Sequence, residues 1–149
     1  MILETNVSME VIMNISNSSK IYKHSNHLTY SCQYHVIFCP KYKRSVLTDG
    51  VDTRLKEIIS EVANKYDFEV MEMEVMKDHV HLLIDCNPKF GIAECVKKIK
   101  GTSASILRKE FPHLKSRIPT LWTRSSFIST VGTVSLETVK KYIEDQKKV

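Results

Sequence analysis

An α+β fold, built as an antiparallel four-stranded sheet with helices on one face, is predicted by the order in which hydrophobic periodicity changes along the chain. Alternating apolar positions give way to a 3.6-residue period, and two alternating stretches follow with only two residues between them. A second helical stretch, a last alternating stretch and a final amphipathic segment complete the chain. The order is β-α-β-β-α-β plus one extra helix at the C-terminal side, the ferredoxin-like split β-α-β arrangement. That fold hosts enzymes, RNA-binding modules and regulatory domains alike, so function has to be read from side chains.

The elements take their limits from local chemistry. Residues 1–27 are rich in Asn and Ser, and the tract from Asn14 to Ser19 reads as a poorly ordered lead-in, with a short accessory strand as the alternative. Residues 28–39 read as a strand in which Tyr30, Cys32, Tyr34, Val36 and Phe38 share one face and Ser31, Gln33, His35 and Ile37 the other, with Pro40 as the stop. Leu55, Ile58, Ile59, Val62 and Tyr66 mark a helix over residues 51–66. A second strand over residues 68–76 changes phase between Val70 and Met71, which predicts a bulge. Lys77-Asp78 is short enough to turn directly into a third strand. A helix over residues 92–111 buries Ile92, Cys95, Val96, Ile99, Ile106 and Leu107, and its other side is mostly basic. Gly101 is costly inside it and marks either a close approach or a kink. A loop bracketed by Pro112 and Pro119 leads to a strand over residues 121–131. Gly132-Thr133 interrupts the pattern, and Ser135 caps a last helix over residues 136–147.

The 149 residues suit one domain, and 22 Lys plus Arg against 17 Asp plus Glu leave a formal charge of +5 that permits a polyanionic partner. Cys32, Cys39, Cys86 and Cys95 have neither metal-site spacing nor the density of a disulfide framework. No apolar run is long enough to span a bilayer, and residues 1–19 lack the pattern of a signal peptide. The expectation is a soluble intracellular protein, with residues 1–20 a flexible extension and residues 21–149 one catalytic domain.

The chemistry concentrates in Asp78-His79-Val80-His81. Strand geometry puts His79 and His81 on one face, able to offer two imidazole nitrogens to one metal ion, while Val80, Leu82, Ile84 and Cys86 face the other way. On the last helix Tyr142 and Gln146 are four residues apart and share a face, and Leu136, Val139 and Ile143 form its apolar side. Docked on the sheet face away from the main helices, Tyr142 would approach a metal held by the histidines, and Gln146 would add an amide oxygen. A divalent metal would polarise a scissile phosphate, and the tyrosine hydroxyl would attack phosphorus. Each residue also has an ordinary reading: hydrogen-bonded structural histidines, a boundary tyrosine, a surface amide. Lys41, Lys43 and Arg44 around Tyr42, together with Lys97, Lys98, Lys100 and Arg108, are the candidate DNA contacts. A solvated loop and a solvated helix face are the alternatives.

These residues occur in an ordered series. His27, the stretch from Tyr30 to Arg44, Lys77-Asp78-His79-Val80-His81-Leu82-Leu83 and Phe90-Gly91 come first. Lys100-Gly101-Thr102-Ser103, Leu121-Trp122, Phe127-Ile128-Ser129-Thr130-Val131-Gly132 and Tyr142-Ile143-Glu144-Asp145-Gln146 follow. In this the chain resembles the single-tyrosine transposases of the IS200/IS605 insertion-sequence family, within the HUH endonuclease group. The resemblance implies His79, His81 and Gln146 as metal ligands, Tyr142 as nucleophile, and Mg²⁺ or Mn²⁺ as the ion. It implies a homodimer acting on single-stranded DNA with hairpins at transposon ends, through a 5′-phosphotyrosine that is later rejoined to another 3′-hydroxyl. The tyrosine helices of such dimers can act in trans, for which Gly132-Thr133 is a reasonable hinge. The implied location is the prokaryotic cytoplasm, on nucleoid DNA during activity. The N-terminal extension and the short tail after Gln146 depart from the family pattern. The alternatives are a domesticated endonuclease that processes chromosomal repeats, an inactive hairpin-binding module, and a structural dimer. DNA substrates and covalent adduct formation separate them.

Overall fold

The computed structural model describes residues 22–25, 27–130 and 136–149. A small hairpin, β1 (Lys23–Ser25) and β2 (Leu28–Tyr30), precedes the main sheet. The sheet contains β3 (Gln33–Phe38), β4 (Glu69–Val75), β5 (Val80–Asp85) and β6 (Phe127–Thr130) in the spatial order β4-β5-β3-β6. All three pairings are antiparallel, as the split β-α-β topology requires. Helices α1 (Val51–Tyr66) and α2 (Ile92–Glu110) fill the crossovers, α3 (His113–Arg117) is a short connector, and α4 (Leu136–Asp145) is the additional C-terminal helix.

Period-two alternation on β3 and β5 divides the interior in two. Val36 and Phe38 join Val80, Leu82, Ile84 and Cys86 in the large core beneath α1 and α2, with Leu55, Ile58, Ile59, Ile99 and Leu107. The opposite face holds a much smaller cluster in which Ile37 and Cys39 meet Val139 and Ile143 of α4. The last helix therefore lies on the sheet face away from α1 and α2. Leu136, expected on its apolar side, has a side chain outside the described residues.

The structure redraws three sequence-based boundaries. The first strand is broken at Ser31-Cys32, and β1 forms ahead of it where no strand was expected, while residues 1–21, with the tract read as a lead-in, lie outside the described residues. The bulge on β4 is present: Val70 pairs with Ile84 and Glu72 with Leu83, leaving Met71 as the extra residue. Of the strand expected over residues 121–131, only β6 forms, with Val131 and the Gly132-Thr133 hinge outside the described residues. Leu121 and Trp122 are buried in the large core, where Trp122 packs edge-on against Phe38 at 4.8 Å and donates to Ser103 Oγ at 3.0 Å. Ser103 is the buried polar position of α2 that apolar periodicity does not reveal. The space around Gly101 is open, so no close approach by protein accounts for it.

The reason for the short β6 lies in its register. Ile37 pairs with Phe127, and continuing that register would pair Pro40 with Arg124. Pro40 instead bridges Trp122, while Lys41 N–H donates to Leu121 O and Thr123 N–H to Cys39 O. The ladder resumes after an excursion through Arg124, Ser125 and Ser126, which lifts Ser125 out of the sheet.

Candidate active site

The hairpin between β4 and β5 closes with Met76 N–H donating to His79 O at 2.9 Å, so Lys77-Asp78 is the turn. Asp78 is buried, and its Oδ1 lies 2.7 Å from His79 Nδ1. Burial alone would raise the Asp78 carboxyl, but the His79 hydrogen bond and charge, with Lys43 beside it, hold it below the usual carboxylate range. The contact with Asp78 engages Nδ1 and fixes the orientation of the His79 ring. His81 is 1 % exposed, and its Nε2 is buried without a hydrogen-bond partner. Burial, then the charges of His79 and His35, push His81 down to about 3, so it is neutral at ordinary pH. The two rings are 5.1 Å apart, centroid to centroid. Among the described residues no group of three or more His, Cys, Asp or Glu is arranged to hold a metal. A third protein donor for the imidazole pair would have to be another residue type.

The last helix is fixed on this face by packing and by charge. Val139 and Ile143 bury against Ile37 and Cys39, and the Phe127 ring lies 5.5 Å from that of Tyr142. Lys43, only 9 % exposed at its side chain, reaches Asp78 Oδ2 at 3.5 Å and Glu144 Oε2 at 3.3 Å. One ammonium thereby joins the carboxylate behind His79 to the tyrosine helix. Residues 146–148 tighten from α-helix into a 3₁₀ turn, yet Tyr142 and Gln146 remain together: Gln146 Nε2 donates to Tyr142 O at 3.0 Å. The Ser125 hydroxyl lies 3.0 Å from Tyr142 Oη and donates to Gln146 Oε1 at 3.3 Å. Burial raises the Tyr142 pKa, opposed by hydrogen bonds from Ser125 and Thr123.

The basic residues meet different fates. Arg44 and Lys97 are exposed, and Lys41 lies over the Tyr42 ring at 5.1 Å. Lys98 sits over the Tyr66 ring, Arg108 donates to Ile118 O, and Lys43 holds the two carboxylates. Lys100 donates to Thr123 O at 2.7 Å and to Ser125 O and Ser126 Oγ at 3.0 Å each. The α2 stripe is thus not the uniformly solvated basic face its sequence suggests. Ser125 and Thr123 are not evident from sequence, and Lys43, a candidate DNA contact there, is an ion-pair partner of Asp78 and Glu144 in the structure. Asp78 was in view as a turn residue, and its place beside His79 was the one local signal of its part in the site.

The family profile described as "Transposase IS200 like" matches residues 28–146. The ISDra2 transposase TnpA of Deinococcus radiodurans is 40% identical over 119 residues, covering 78% of this chain and 85% of the relative. The transposase for insertion sequence element IS200 of Salmonella typhimurium is 27% identical over 122 residues, covering 80% of each chain. The chain belongs to the IS200/IS605 family of tyrosine transposases. A crystal structure of a candidate transposase from Deinococcus radiodurans R1 superposes on this transposase with a TM-score of 0.77 at 36% identity, covering 83% of this chain and 97% of the other. A structure of a REP-associated tyrosine transposase bound to a REP hairpin shares the fold, with a TM-score of 0.51 at 13% identity and coverage of 83% and 69%. The family match to this transposase begins at Leu28 and ends at Gln146, so β1 lies ahead of it. No helix among its described residues is long and apolar enough to cross a membrane.

Proposed function

We propose that this chain is a metal-dependent transposase that cleaves and rejoins single-stranded insertion-sequence ends through a 5′-phosphotyrosine at Tyr142. The observation that carries this reading is the convergence of Tyr142 and Gln146 on Ser125, on the sheet face to which His81 also belongs, with the His79 ring 5.1 Å from that of His81. The partnerless buried Nε2 of His81 and the Asp78-oriented ring of His79 fit a metal ion. His79, His81 and the Gln146 amide oxygen would hold Mg²⁺ or Mn²⁺. When bound, the ion supplies charge that polarises the scissile phosphate.

Tyr142 has one task, attack on phosphorus. Its oxygen forms the new P–O bond, the phenolic proton leaves, the P–O3′ bond breaks, and the departing 3′-oxygen takes up a proton. The 5′ side stays esterified to the tyrosine, so a second 3′-hydroxyl can reverse the step and join strands without nucleotide hydrolysis. Because burial raises the phenol's pKa, this step depends on stabilising positive charge at the site. Exposed Arg44 and Lys97, with Lys41 beside Tyr42, are the candidate DNA contacts best placed for phosphates. A groove of about 590 Å³ runs between α2 and residues 120–128, lined by Lys97, Trp122 and Arg124 among others, and is suited to a single strand. The REP-hairpin complex of the distant relative supports hairpin-bearing DNA as the partner. A homodimer acting in the bacterial cytoplasm, with residues 21–149 as one catalytic domain, completes the reading.

The test is incubation with single-stranded element ends and Mg²⁺ or Mn²⁺, followed by denaturing electrophoresis. A metal-dependent covalent band that is lost in Tyr142→Phe, accompanied by joined strands, is the expected result. Hairpin binding with no covalent band, under conditions where an active relative cleaves, would make the chain a binding module instead.

A further inference from the structure

The excursion at Arg124–Ser126 separates two stretches that pair with the end of β3, and its shape does not follow from sheet hydrogen bonding alone. What spans it is Lys100. The side chain leaves α2, passes over the Phe38 ring at 5.8 Å, and ends among Thr123 O, Ser125 O and Ser126 Oγ. An ammonium has three N–H donors, and these three acceptors match that number. One of them, Ser125 O, is a backbone carbonyl of the excursion itself, and Thr123 O lies immediately before it. Burial in this position pulls Lys100 down to about 8.

On the opposite side of the same loop the Ser125 hydroxyl touches both Tyr142 Oη and Gln146 Oε1. Lys100 therefore grips the backbone of the residue whose side chain holds the nucleophile and the candidate third ligand. We infer that Lys100 is a positioning residue for strand cleavage, setting Ser125 and through it Tyr142 and Gln146, and is not a DNA contact. The inference rests on the transposase reading for its consequence in catalysis, but the Lys100–Ser125–Tyr142 coupling exists independently of any DNA. With all three donors aimed into the loop, Lys100 has little left to offer a phosphate, although it lies at the edge of the groove.

Two measurements test this. In protein labelled with ¹³Cζ-tyrosine, the Tyr142 resonance is identified by its absence in Tyr142→Phe. Lys100→Met is expected to move that resonance in the same direction as Ser125→Ala and to leave the other tyrosines in place, although Lys100 does not touch Tyr142. In the adduct assay Lys100→Met and Ser125→Ala are each expected to slow cleavage about tenfold, with hairpin Kd unchanged within about twofold. The double variant should be no slower than the slower single variant, because both act through one contact. Ser126→Ala removes one acceptor without removing the lysine, and should slow cleavage about two- to threefold even if Lys100→Met fails to fold. A double variant slowed by the product of the single effects, or a hairpin affinity that falls with the cleavage rate in Lys100→Met, would overturn the inference while leaving the transposase reading intact. If the wild-type chain forms no adduct, the transposase reading fails. The Tyr142 resonance then still decides the coupling: its indifference to both Lys100→Met and Ser126→Ala would end it.

Discussion

His81 makes the residue scale measurable through pH. Its folded-state pKa is depressed to about 3, against about 6.5 when unfolded, and His35 is depressed in the same direction by burial. Between those values the unfolded chain binds a proton that the folded chain refuses, so stability falls as pH falls below about 6.5. Metal-free protein should lose about 1 kcal/mol per pH unit for His81 on acidification from pH 6.5 to pH 5, with His35 adding to the slope. Urea unfolding across that range checks this, and His81→Gln should flatten the dependence. Asp78→Asn tests the orientation of His79: Mn²⁺ affinity by calorimetry should fall about 10- to 100-fold with little change in the fold. The four central residues were legible because parity and i+4 spacing operate over short distances. His81 lies on β5 with His79 directly ahead of the strand and their rings 5.1 Å apart, and Tyr142 and Gln146 share a helix side. Lys43 and Ser125 were hidden because their partners are remote: Lys43 meets Glu144 across 101 positions, and Ser125 meets Tyr142 across 17.

Among the elements, strands and helices with strong alternation were placed nearly to the residue, and the errors fell where tertiary pairing overrides pattern. Leu121 and Trp122 look like strand residues, yet they belong to a resumed ladder beyond a two-residue slip in register. The basic side of α2 looks solvated, yet Lys98, Lys100 and Arg108 turn their cations onto a ring or onto carbonyls. For α4 the decisive element-scale contact is Lys43. Lys43→Met leaves buried Asp78 with His79 and Glu144 with only Lys147, breaking the bridge between them, and should destabilise the protein by about 2–3 kcal/mol. Covalent adduct formation in that variant should drop more than hairpin affinity, which parallel gel-shift and cleavage assays would show. Loss of affinity without loss of cleavage would return Lys43 to the role of a phosphate contact.

At the scale of the whole molecule the sheet divides two interiors of very different size. Deleting side-chain volume in the larger one, as in Ile99→Ala, should cost about 2–5 kcal/mol and lower the Tm of the entire protein. Ile143→Ala removes one of the two buried apolar anchors that α4 offers to the smaller cluster among the described residues, and should chiefly loosen that helix. Hydrogen exchange should then quicken along residues 137–145 while the β3 and β5 amides stay protected. The same asymmetry governs how preparations of this protein ought to be judged. Circular dichroism and calorimetry are weighted toward the thick layer, so a sample can pass both with α4 undocked, and a quality check for this transposase has to interrogate Tyr142 itself.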